Sequence, residues 1–112
     1  MGAAESLDKA AEKSGVEILY MKEGIDPLPF YALFDDFGLG FVPKGIDPRF
    51  TRNISRWASF MFSAYHLPSE PDSKDTIKVN DVVYIVRQFE PTCVKGKAEI
   101  YEVFANTEQK RS

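Results

Sequence analysis

The sequence predicts a mainly β fold: a small barrel or sandwich of five or six antiparallel strands, with a short N-terminal helix and one long loop. Three observations carry this. Apolar and polar residues alternate through several short segments separated by turn-forming residues, the signature of half-buried strands. Nine Phe, five Tyr and one Trp among 112 residues suit a β-rich core or a partner interface. Between residues 35 and 55 the periodicity lapses and a chain breaker recurs every few positions. The length fits one domain, residues 1–112, which buries roughly two-thirds of its unfolded surface. That supports one modest core and leaves little for a deep cleft.

Residues 6–13 read as a short peripheral helix. Ser6 can cap it, Asp8 sits in its first turn, Lys13 in its last, and Gly15 can end it. Residues 1–14 form a peripheral N-terminal segment, because Leu7, Ala10 and Ala11 are a thin apolar stripe. Residues 16–21 alternate as a strand, and Gly24-Ile25-Asp26-Pro27 is turn chemistry. Residues 28–34 form a second, aromatic-rich strand whose Pro29 belongs at an edge or bulge. The segment 35–55, with Gly38, Gly40, Pro43, Gly45 and Pro48, is a long loop. Loops of that length inside a compact domain tend to be functional.

Residues 57–65 then alternate with both faces fairly apolar, which predicts a strand covered on both sides. Residues 76–79, the Asn80-Asp81 turn and residues 82–88 form a hairpin. A turn over residues 90–96 leads to a last strand at 97–104, and residues 105–112 form a flexible polar tail. The expected core comprises Ile18, Phe34, Phe60, Phe62, Val83, Ile85 and Ile100.

Charge is unevenly spread. The net −3 divides into −5 over residues 1–43, +3 over residues 44–66 and −1 over the remainder. A general nucleic-acid binder carries a basic face; here only one segment is basic, with Lys44, Arg49, Arg52 and Arg56 against Asp47. Cys93 stands alone, so no intrachain disulfide forms. No run of 18 apolar residues and no signal-peptide pattern occurs, so the chain reads as soluble, without membrane contact and made in a reducing compartment. Gly2 and Ser6 match a loose N-myristoylation pattern. Without a polybasic stretch or second acylation site, the match is read as chance unless the chain comes from a eukaryote or its virus.

Catalytic sets are missing. His66 and Cys93 are each the only residue of their type and share no local pattern. Zinc needs three good protein ligands, and neighbours such as Asp35 and Asp36 point to opposite faces of a strand. Gly38-Leu39-Gly40 lacks the third glycine and following helix of a phosphate-binding loop. The residues therefore predict a non-enzymatic protein with no cofactor and no metal. For residues 44–56 two readings weigh equally: a solvated loop with Trp57 and Phe50 tucked onto the core, or a presented loop. In the second, Lys44, Arg49, Arg52 and Arg56 meet phosphate or carboxylate while Phe41 and Phe50 anchor in a partner pocket.

A strand ending in Phe34-Asp35-Asp36, a long loop, then Lys74-Asp75-Thr76-Ile77-Lys78-Val79-Asn80-Asp81-Val82-Val83-Tyr84-Ile85-Val86 and a Gly96 turn make up one arrangement. It resembles the small head–tail joining proteins of tailed bacteriophages, also called head-closure or stopper proteins. There the hairpin has the form Gly-Asp-x-Ile-x-Ile-Asn-Gly-x-x-Tyr-x-Val; here Lys74 replaces the first glycine and Asp81 the second. The resemblance spans roughly residues 16–104. It implies a β-barrel assembled as a homo-oligomeric ring in the virion neck, formed from subunits in the host cytoplasm. The ring links the portal or an adaptor to the tail and retains packaged DNA, with the long loop near DNA or a neighbour. A tail-completion or tail-terminator protein is the nearest alternative. A different class is an OB-like single-stranded nucleic-acid-binding module, in which exposed aromatics stack on bases beside a basic groove.

Overall fold

Alternating strands of this length cannot stand alone in water, and here each finds a neighbour on both edges. The computed structural model describes residues 2–51 and 54–107. A helix, α1 (Ala3–Ser14), is followed by β1 (Val16–Met21), β2 (Leu28–Leu39), β3 (Arg56–Ser63), β4 (Thr76–Val79), β5 (Val82–Val94) and β6 (Lys97–Asn106). The strands form one closed antiparallel barrel in the order β1-β2-β3-β6-β5-β4. Followed around the barrel from Gly38, the register passes Trp57, Asn106, Ile85, Thr76 and Met21. It meets β2 again near Leu28 and not at Gly38. That stagger is the tilt that closure of a twisted sheet requires.

Several boundaries differ from the sequence pattern. α1 begins at Ala3 with Gly2 at the N-cap, so Ser6 lies inside the helix and caps nothing. β2 continues to Leu39, because a bulge at Phe37 lets Gly38, at φ 81°, resume pairing with Trp57. The irregular segment thus starts at Gly40. β5 continues to Val94, and the turn is Lys95-Gly96, whose φ values of 53° and 79° suit a two-residue hairpin loop. Ala105 and Asn106 are buried residues of β6 and no part of a tail, whose residues 108–112 lie outside the described residues.

The barrel interior is aromatic. Tyr20, Phe30 and Phe62 pack together with centroids 5.0–6.3 Å apart, and Phe34, Phe60 and Tyr84 form a second group at 5.2–6.1 Å. Of the expected core, Ile18, Phe60 and Phe62 are buried, and half-buried Phe34 packs against them. Val83, Ile85 and Ile100 do not face the interior. On β5 the inward residues are Tyr84 and Val86, leaving Val83 44% exposed and Ile85 half-buried. Residues 82–86 are apolar at every position, so periodicity could not tell the two faces apart. On β6 the inward set is Tyr101, Val103 and Ala105.

β3 is covered on both faces. Ala58, Phe60 and Phe62 face the interior, while Trp57 and Ser63, on the opposite face, are also fully buried. α1 packs across β2, β3 and β6 through Ala4, Leu7 and Ala11. Its C-terminal end comes so close that a Cβ on Gly15 would lie 2.2 Å from the Ala32 carbonyl oxygen. His66 holds the helix from below: its ring stacks on Phe30 at 4.4 Å, and its Nε2 lies 2.9 Å from Asp8 Oδ1. Ahead of Ile100, the start of β6 and the end of β5 pair only with each other and leave the barrel as a two-stranded arm, and the molecule extends to 48 Å.

Candidate functional site

The loop between β2 and β3 is ordered by its own side chains and by others from β5 and β6. Asp47 accepts the Arg49 backbone N–H at 2.9 Å and starts a 3-10 turn at Pro48–Phe50, while Thr51 Oγ1 donates to the Pro48 carbonyl at 3.0 Å. The Gly40 N–H donates to the Ser55 carbonyl at 3.2 Å and closes the loop's base. A bulge in β5 makes Arg87 the extra residue and aims it, with Gln88, at the loop. Gln88 accepts from the Asp47 N–H at 3.2 Å and donates to the Gly45 carbonyl at 2.9 Å. Arg87 Nε donates to Asn106 Oδ1 at 2.8 Å, and Asn106 Nδ2 donates to Ser55 Oγ at 3.1 Å. The back of the loop is therefore clamped onto the barrel.

The predicted contact residues do not act together. Phe50 is half-buried between two guanidinium groups, Arg49 at 5.4 Å and Arg87 at 5.8 Å from its ring, so it anchors the loop to its own barrel. Arg56 lies on β3 and not in the loop. Its Nη2 is 2.9 Å and its Nε 3.1 Å from Asp36, a two-point ion pair. Partial burial pushes the Asp36 carboxyl up, but hydrogen bonds from Arg56 and the Gly38 N–H outweigh it and hold the group below its usual range. Arg49 pairs with Asp47 at 3.1 Å and stays largely exposed. The Asp47 carboxyl is lowered by the Arg49 backbone N–H first and the Arg49 side chain second. Lys44 is exposed, and Arg52 lies outside the described residues.

Phe41 is presented as expected, at 70% exposure, and it has neighbours that the sequence reading passed over. Leu39 (57%), Val42 and Ile54 (64%) are exposed too. The Gly40–Ser55 hydrogen bond brings Ile54 beside the Leu39–Val42 run. The base of the loop thus carries an aliphatic and aromatic patch close in sequence to the exposed Lys44. The signal was present as three bulky residues among glycines, but whether they pointed out depended on the clamp at Gln88, some 40 positions away.

Elsewhere the polar groups serve the fold. Asp75 Oδ2 receives Tyr20 OH at 2.7 Å, Lys22 Nζ at 2.6 Å and the Asp72 N–H at 2.9 Å. Burial first, then the Asp75 carboxylate, drive the Tyr20 phenol strongly upward. Cys93 is exposed on the arm, and His66 is engaged by Asp8. Among the described residues no three His, Cys, Asp or Glu side chains gather to hold a metal ion, and no helix is long and apolar enough to cross a membrane. No protein-family model matches the chain, and no curated protein matches its sequence. The functional reading rests on the barrel and its surface.

Proposed function

We propose that the protein is a structural component of a bacteriophage neck, a head-closure or head–tail joining subunit that works by contact and not by catalysis. The observation that supports this best is the clamped loop. Its middle is fixed to β5 by Gln88 and Arg87, while its base turns Leu39, Phe41, Val42 and Ile54 to solvent. A rigidly held apolar patch is expensive in water unless a partner covers it. The OB-like alternative draws less support. Three of the four patch residues are aliphatic and cannot stack on bases, and Arg49 and Arg56 already hold carboxylates.

The test is a combined Phe41→Asp and Lys44→Glu variant. These side chains are exposed, so the far-UV spectrum and melting temperature should match those of the parent chain. Supplied in place of the parent chain during phage assembly, the variant should give heads that lose DNA or refuse tails. Full phage yield would refute the contact role. Retention of a single-stranded oligonucleotide that weakens steeply with salt would favour the nucleic-acid-binding module.

A further inference from the structure

We propose that the middle of the loop, residues 43–50, is a strap that lifts from the folded barrel and gates the exposure of Trp57. Trp57 and Phe104 stand on the outer faces of β3 and β6, opposite the interior-filling Ala58, Phe60, Val103 and Ala105. They are nonetheless only 0% and 9% exposed. An outer-face aromatic loses its water only when another element lies across it. The helix α1 is held at the other end of β3, where Asp8 meets His66. Over the Trp57 end lies the loop. Asn106, the cross-strand partner of Trp57, bonds Ser55, and Gln88, the partner of Phe104, holds the Gly45 carbonyl and the Asp47 N–H.

Three observations make the strap separable from the barrel. Pro43 is its only buried residue, so it is fastened mainly by polar contacts that water can replace: the two Gln88 hydrogen bonds and the Arg87 guanidinium against Phe50. Gly40 and Gly45, at φ 83° and 88°, have no atom within 4 Å of where a Cβ would stand, and the backbone between them has room to turn. Beneath the strap, the Trp57 Nε1–H has no acceptor among the described residues. The closed state thus sets the gain from burying an indole ring against a stranded donor. Lifting removes that cost, because water then accepts the bond. Such a balance keeps the open form a populated minor state of the native protein. The Gly40–Ser55 bond closes the loop's base independently, so the exposed Leu39–Val42 patch persists in both states and the strap stands apart from the assembly reading.

Trp57 is the chain's only tryptophan, so one indole signal reads the strap. The experiment is hydrogen exchange of that indole N–H in the full chain, followed by NMR across urea concentrations below the unfolding transition. Its protection should be at least about tenfold below that of the slowest β3 and β6 amides and nearly independent of urea, because a local opening exposes little surface. Gln88→Ala, which removes both loop bonds, should lower the protection at least about threefold more. It should also raise acrylamide quenching of the fluorescence, with the far-UV spectrum unchanged. Protection equal to that of the slowest amides, with the same urea slope, would show that Trp57 meets water only on global unfolding and would overturn the proposal. So would an indole with no protection at all, or a folded Gln88→Ala chain that protects and quenches like the parent. If Gln88→Ala does not fold, the wild-type urea slope alone decides.

Discussion

Two of the carboxylate–cation pairs on this barrel, Lys22–Asp75 and Arg56–Asp36, differ in what surrounds them. At the end of β1, Lys22 and Asp75 have side chains only 9% and 4% exposed, and Asp75 also receives a phenol and a backbone N–H. Beside the loop, Arg56 and Asp36 are 49% and 31% exposed. Both are short ion pairs. In the first, desolvation has been compensated by three donors on one oxygen, so removing the carboxylate strands buried donors. In the second, water shares the work and screens the charge. The buried cluster ties the 67–75 connection to the barrel, whereas the exposed one trims the charge of a surface that remains free to meet something else.

The contrast is broken most strongly at its buried side. Asp75→Ala leaves the Tyr20 hydroxyl without its acceptor and the Lys22 ammonium with the Glu70 carbonyl but no counter-charge, and should cost about 3–5 kcal/mol in urea unfolding. Lys22→Met, which leaves Asp75 its two other donors, should cost clearly less. Equal losses would mean that the ammonium, and not the carboxylate, organises the cluster. Tyr20→Phe removes one hydrogen bond to a charged acceptor and should cost about 1.5–3 kcal/mol. Because the phenol is held above its ordinary 10.0, its contribution is complete below pH 10 and fades as pH rises through the folded-state value. The wild-type chain should lose stability at high pH, and Tyr20→Phe should lose less of it.

Next in size is a comparison along β5. Val86→Ala, on the inward face, should cost about 2 kcal/mol, and Val83→Ala, on the outward face, no more than about 0.5 kcal/mol. Equal costs in thermal unfolding would overturn the assigned facing of the strand. The smallest effect belongs to Asp36→Asn. With the Asp36 carboxyl held below its ordinary 3.8, the pair's contribution is present above that pH and disappears as pH falls through the lower folded-state value. The variant should therefore show a flatter acid limb of stability against pH and little change at neutrality. An unchanged acid limb would mean that the pair forms with no net gain over water.

Much of the fold was legible locally. The alternation of Val16–Met21 and the Thr76–Val79 hairpin with its Asn80 turn predicted these strands closely, since side-chain period and turn chemistry are properties of neighbouring residues. The two apolar faces of residues 57–65 predicted a strand covered on both sides, as β3 is, although that strand stops at Ser63. Where every residue of a strand was apolar, as at Val82–Val86, pattern could not choose a face, and barrel closure chose it.

The candidate site was legible in composition but not in arrangement. Residue types alone marked residues 35–55 as irregular, because glycine and proline act on the backbone where they stand, and residues 44–56 as basic. Tertiary structure decided which of those side chains are free. Asp36 claims Arg56 from the neighbouring strand, Arg87 and Gln88 claim Phe50 and the loop's backbone from β5, and what is left facing water is the Leu39–Val42 run with Ile54 and Lys44. Each of those claims joins residues 20 to 43 positions apart, and only chain closure brings such groups within hydrogen-bond or van der Waals reach.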